Sequence, residues 1–100
     1  MNIEEYNQLY NYISDPTKPH VPKNVRERAK QFEIFDERLF RKHDGKLLLV
    51  VQSTEVDNLL YLSHEHPLGG HFGIEKMAQK LLKHHWWPHL GKSIAHYVKS

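Results

Sequence analysis

The sequence predicts an α+β fold: a small antiparallel β-meander followed by a three-helix bundle, with an N-terminal helix and linker in front. Residues 32–51 hold three short apolar runs parted by tight-turn signals, the pattern of a meander. Downstream, Ile74, Met77, Ala78, Leu81, Leu82 and His85 recur at the spacing of one helix face. Upstream, three prolines within seven positions, Pro16, Pro19 and Pro22, set the first segment apart.

Taken in order, Ile3 to Ile13 places Ile3, Tyr6, Leu9, Tyr10 and Ile13 at helical spacing and predicts a short amphipathic helix. The proline segment ends it and makes residues 1–22 a helix plus linker, with His20 exposed. Lys23 to Gln31 is charged and free of Gly and Pro, and Val25, Ala29 and Phe32 supply one buried stripe, so a second short helix is expected. Phe32–Phe35, Arg38–Lys42 and Lys46–Val51 follow as strands. Asp36-Glu37 makes a tight two-residue connection, and His43-Asp44-Gly45 carries the Asp-Gly pair of a hairpin, which places His43 in a turn. Residues 23–52 thus form the second unit.

Residues 53–100 form the third. Thr54 to His64 sets Val56, Leu59, Leu60 and Ser63 on one face, with Thr54 as N-cap and Asp57 three residues on. The helix over Gly73–His85 has the clearest period of the chain, and Trp86-Trp87-Pro88 ends it. Leu90, Ile94, Tyr97 and Val98 then mark a last helix. At least one of Trp86 and Trp87 is expected to fill the core between the last two helices, although either could stack on bases.

A chain of 100 residues supports one small core, near the size at which a metal, a disulfide or a partner supplies needed stability. Cysteine is absent, so the support is not a disulfide. No apolar run approaches the roughly 20 residues of a membrane helix. Met1-Asn2-Ile3-Glu4-Glu5 is acidic and unlike a signal peptide, so a nuclear or cytoplasmic setting is expected. Charge is uneven: from His71 onward Lys76, Lys80, Lys83, Lys92 and Lys99 face a single acid, Glu75. That stretch is either an ordinary solvated helix face or a phosphate-contacting one.

The most informative segment is His64-Glu65-His66-Pro67-Leu68-Gly69-Gly70-His71-Phe72-Gly73. Two imidazoles flank a reversal that Gly69 and Gly70 permit, one at the end of a helix and one before the next. It reads as half of a zinc site, since neutral imidazole is a common ligand and structural zinc takes four tetrahedral donors from His and Cys. In a chain with nine histidines the pair alone is a weak signal. His66, His84, His85 and His89 offer an alternative donor, against plain roles as a turn residue for His66 and as helix C-terminal residues for His84 and His85.

The segment Leu62–Lys76, followed by Trp86-Trp87-Pro88 and then Tyr97-Val98-Lys99-Ser100, resembles the His-His-Cys-Cys zinc-binding domain (H2C2) of retroviral and Ty3/Gypsy-type retrotransposon integrases. The resemblance covers Thr54 to Ser100, and Val25 to Val51 is similar to the lead-in many such proteins carry. It implies that His64 and His71 are the two histidine ligands of zinc, that the bundle is zinc-binding, and that a Cys-x-x-Cys pair is expected just beyond Ser100. The site would be incomplete in these residues.

The function this implies is a non-catalytic zinc-binding module of an integrase, supporting multimerisation as a homo-oligomer and binding retroelement DNA ends. Lys76, Lys80, Lys83, Lys92 and Lys99 would contact nucleic acid. No membrane and no small-molecule substrate is expected. Asp36, Asp44 and Asp57 stand apart, and no nucleophile and base form an arrangement for hydrolysis. Two other classes remain open: a free-standing, domesticated nucleic-acid-binding module that reads DNA with its last two helices, and a protein-interaction module presenting exposed Tyr6, Tyr10 and Tyr12.

Overall fold

The computed structural model describes residues 1–64 and 73–99, with side chains over 1–61 and 79–96. Helix α1 (Ile3–Ser14) starts at Asn2, whose Oδ1 accepts from the amides of Glu4 and Glu5 at 2.7 and 3.3 Å. Glu4 and Glu5 also place negative charge at the positive end of the helix dipole. Leu9 is buried, whereas Ile3, on the predicted stripe, is 49% exposed. Tyr6, Tyr10 and Tyr12 are half-buried against the core, and the Leu39 amide donates to the Tyr6 hydroxyl at 3.2 Å. The tyrosines are therefore packing groups, which corrects their expected role as exposed recruiting residues.

Helix α2 (Lys23–Ala29) buries Val25 and Ala29. It stops short of Gln31 because the amides of Lys30 and Gln31 turn back on the carbonyls of Glu27 and Arg28, three residues earlier. Arg28 meets Glu5 of α1 at 3.0 Å. Both groups are substantially exposed, so this ion pair orients the helices more than it stabilises them.

Strands β1 (Phe32–Phe35), β2 (Arg38–His43) and β3 (Lys46–Val50) form the predicted meander, in register Ile34↔Leu39 and Arg41↔Leu48. His43, expected in the turn, closes β2 opposite Lys46. Both connections are two residues long with positive φ throughout: Asp36 at 51°, Glu37 at 61°, Asp44 at 46° and Gly45 at 76°. Glu37 is the unfavourable member, because its Cβ crowds the backbone in the left-handed region. Glu37→Gly is expected to raise stability by about 0.5–1 kcal/mol, strain relief outweighing the added chain entropy. A urea midpoint that did not rise would show there is no strain there to release.

The sheet has a fourth strand that the sequence did not announce. Helix α4 (Gly73–His84) ends one residue early, and β4 (His85–Trp86) lies parallel to β3 with Leu49↔His85 and Val50↔Trp86 in register. The sheet is therefore mixed, in order β1-β2-β3-β4, and not the purely antiparallel meander expected. Pro88 denies the helix a continuation, and the Val51 amide captures the Trp86 carbonyl at 2.9 Å.

Helix α3 (Ser53–His64) begins before Thr54, which lies inside the first turn and is not the N-cap expected. The Ser53 amide donates to the Met1 carbonyl at 2.7 Å and the Glu55 amide to Gln52 at 2.9 Å. Helix α5 (Leu90–Lys99) follows a left-handed His89, whose φ is 62°. The Ser93 amide returns to the His89 carbonyl at 3.0 Å, closing its first turn.

Two cores result. The first joins α1, α2 and the inner face of the sheet through Met1, Leu9, Val25, Ala29, Phe32, Leu39 and Val50, with Trp86 packed against it. The second joins α3, α4 and α5 through Val56, Leu60, Leu81, Leu90 and Ile94, around Val51 and Trp87. The three helices share a core, as a bundle would. They do so around residues contributed by the sheet end, and α4 also leans on β3 and β4. A self-contained three-helix bundle is thus not what forms among the described residues.

Candidate metal centre and basic face

Helix α3 ends at His64 and α4 begins at Gly73, and the two pack together through Leu60 and Leu81. In the sequence His71 stands two positions before the start of α4. The backbone of His64 closes α3. Its side chain, together with His66 and His71, lies outside the described residues, as does the ligand geometry expected of the pair. Among the described residues no group of three or more His, Asp or Glu side chains converges on a metal position. The donor chemistry suits zinc as far as it goes: two imidazoles furnish half of a tetrahedral shell, and the chain has no thiolate to add.

The other histidines are dispersed. His84 is exposed at the last position of α4, and His89 is exposed in the left-handed turn. His85, expected at a helix C-terminus, is half-buried on β4. Burial pushes its imidazole below the usual histidine range; the Leu81 carbonyl opposes this, short of a well-formed hydrogen bond to Nδ1, and His84 reinforces it. A base whose folded pKa is depressed binds its proton more readily in the unfolded chain. Its contribution is constant above the unfolded value of 6.5, and stability falls as pH drops from there through the lower folded value. His85→Gln is expected to flatten the acid side of a melting-temperature profile measured from pH 7 to pH 5, and an unchanged slope would refute this assignment.

Of the five lysines expected at nucleic acid, Lys80 and Lys83 are exposed on α4 and Lys92 on α5. Lys76 and Lys99 sit in α4 and α5 with side chains outside the described residues. Lys83 also borders a groove of about 450 Å³ between α4 and the β2–β3 turn, where Lys46 joins it. Lys46 is a basic neighbour that reading along the chain did not reveal, because only the fold brings the turn beside α4.

The family model described as integrase zinc binding domain matches residues 51–100. The chain belongs to the integrase zinc-binding domain family. No curated protein and no solved structure matches it. In this integrase zinc-binding domain the matched span opens at Val51, the residue where the second core begins. The family is a zinc-binding, non-catalytic one.

The matched half does not stand apart from residues 1–50. The Arg41 guanidinium lies 4.6 Å from the Trp86 ring centroid and 5.6 Å from that of Phe32, and the two rings meet edge to face at 5.5 Å. Arg41 Nε is buried without a hydrogen-bond partner, so the ring faces are its main compensation. Sequence reading missed this cation because charged strand residues normally point outward. The two-residue turn at Asp36-Glu37 was the available signal: it fixes Phe32 opposite Arg41 and turns both inward.

Proposed function

We propose that this chain is the non-catalytic zinc-binding module of a retrotransposon-type integrase, supporting multimerisation and the binding of retroelement DNA ends. The observation that carries the reading is the family match over residues 51–100, within which His64 closes α3 and His71 precedes α4 by two positions. His64 and His71 would hold zinc by imidazole nitrogen, and the other two positions call for donors beyond this pair. Zinc, when bound, supplies a structural cross-link between the end of α3 and the start of α4. Lys76, Lys80, Lys83, Lys92 and Lys99 then present charge to phosphates, which positions the module without reading bases.

The test is duplex binding against salt. Log affinity is expected to fall linearly with log salt, and the double variant Lys80→Ala, Lys83→Ala to lower the slope by about 2. Binding indifferent to salt would remove the phosphate-contact reading.

A further inference from the structure

The groove between α4 and the β2–β3 turn is walled by residues distant in sequence. From the sheet come Lys46 and Leu48, two positions apart on β3 and therefore on one face of it. From α4 come Gln79, Leu82 and Lys83, whose i, i+3 and i+4 spacing puts them on one side of the helix. Leu48 is buried, whereas Leu82 is 50% exposed. An exposed leucine is ordinary on a protein surface, but this one forms a wall of a cleft of about 450 Å³ whose opposite wall is also leucine.

The rim is cationic. Lys46 and Lys83 stand on its two sides, and among the described residues neither enters an ion pair. Asp44, the acid that borders the cleft, has its carboxylate 3.4 Å from His43 Nε2 and is 89% exposed, so it is turned to its neighbour and to water. Lys80 carries the positive edge past the groove along α4, and the chain from Gln79 to His96 contains no acid at all. A ligand that suits this cleft joins apolar atoms to regularly repeated negative charge. An unpaired nucleic-acid strand does so at every residue, through sugar and base faces on one side and phosphate on the other. A duplex keeps its base faces stacked inside and would leave Leu82 uncovered. An acidic peptide offers both elements only at intervals, and the acid-free run beyond the groove suits a uniformly charged polymer better.

We infer that the groove between α4 and the β2–β3 turn takes an unpaired nucleic-acid strand, one nucleotide of which lays its sugar and base between Leu48 and Leu82 while Lys46 and Lys83 hold phosphates at the rim. This rests on the nucleic-acid binding proposed above. It adds a preference for single strands and a contact, Lys46, that lies outside the family-matched half. The two kinds of contact answer differently to salt: a lysine on a phosphate releases counterions, and a leucine on a sugar or base does not.

Fluorescence anisotropy of the chain with a labelled thymidine oligonucleotide, and with a duplex of the same length, over a salt series tests this. Lys46→Met, which keeps the aliphatic stem, should lower the single-strand slope of log affinity against log salt by about 0.7. Leu82→Asn, at a position already half open to water, should weaken single-strand binding roughly three- to tenfold with its slope unchanged and leave duplex binding as it was. Both variants should keep the far-ultraviolet circular dichroism of the parent. Single-strand binding indifferent to both, while Lys80→Ala with Lys83→Ala still lowers the duplex slope, would overturn the groove and leave nucleic-acid binding standing. Absence of salt-dependent binding to either oligonucleotide would overturn both. Equal loss on duplex and single strand in Leu82→Asn would overturn the strand preference. Capture of a peptide of alternating leucine and glutamate that depends on Lys46, with oligonucleotide affinity unmoved by either variant, would overturn it in favour of a protein partner.

Discussion

Trp87→Ala is expected to destabilise the fold by about 3–5 kcal/mol, a large part of the roughly 5–15 kcal/mol that holds a domain of this size. Trp87 is 2% exposed and shares its core with Val51, Val56, Leu60, Leu81, Leu90 and Ile94, so its removal opens a cavity bounded by three helices and a strand end. No single neighbour can collapse into that space. The indole Nε1 is buried without a hydrogen-bond partner, a cost that the packing already outweighs. Trp87→Phe, which keeps a ring and discards the orphan donor, should therefore lose much less than alanine. Urea denaturation of the two variants checks the order, and equal losses would mean that ring packing is not what Trp87 contributes.

Loss of either histidine of the pair should have the second large effect. In a version carrying the family's Cys-x-x-Cys after Ser100, zinc uptake is expected to be stoichiometric and coupled to a gain of helix, since structural zinc in small domains supplies on the order of 10–16 kcal/mol. His64→Ala or His71→Ala should weaken that uptake by about 100-fold or more, because three donors cannot close a structural tetrahedron. His20→Ala, at an exposed position between α1 and α2, is the control and should change nothing. Equal zinc titrations for all three variants would remove the ligand assignment, whereas loss confined to the two would establish it.

What was legible in the chain follows the strength of its periodic signals. Helices α1, α4 and α5 and the three meander strands carry either a helical stripe or turn residues of defined chemistry, and they form within a residue or two of their expected limits. The β4 strand was not legible because two residues cannot display a period and a parallel pairing leaves no turn signature. Thr54 looked like a cap because its side chain suits one, yet the helix start is set by a tertiary contact, the Ser53 amide on the Met1 carbonyl. Tyr6, Tyr10 and Tyr12 looked available because a short helix beside prolines suggests an arm, and only the three-dimensional closure of α1 on the sheet reveals them as packing groups. Membership of the zinc-binding family was legible through the motif around the histidine pair, while the side chains of that pair lie outside the described residues.

Val50 and Val51 are consecutive, as are Trp86 and Trp87, and in each pair one side chain enters the first core and the other the second. These two dipeptides lie side by side at the end of the sheet, so the molecule has a seam where a tether between halves would otherwise be. Adjacent indoles thereby become two separate fluorophores: Trp86 beneath a guanidinium, Trp87 buried among the aliphatic side chains of the second core. Emission from either one, isolated by replacing the other with phenylalanine, would report on its own side of that seam.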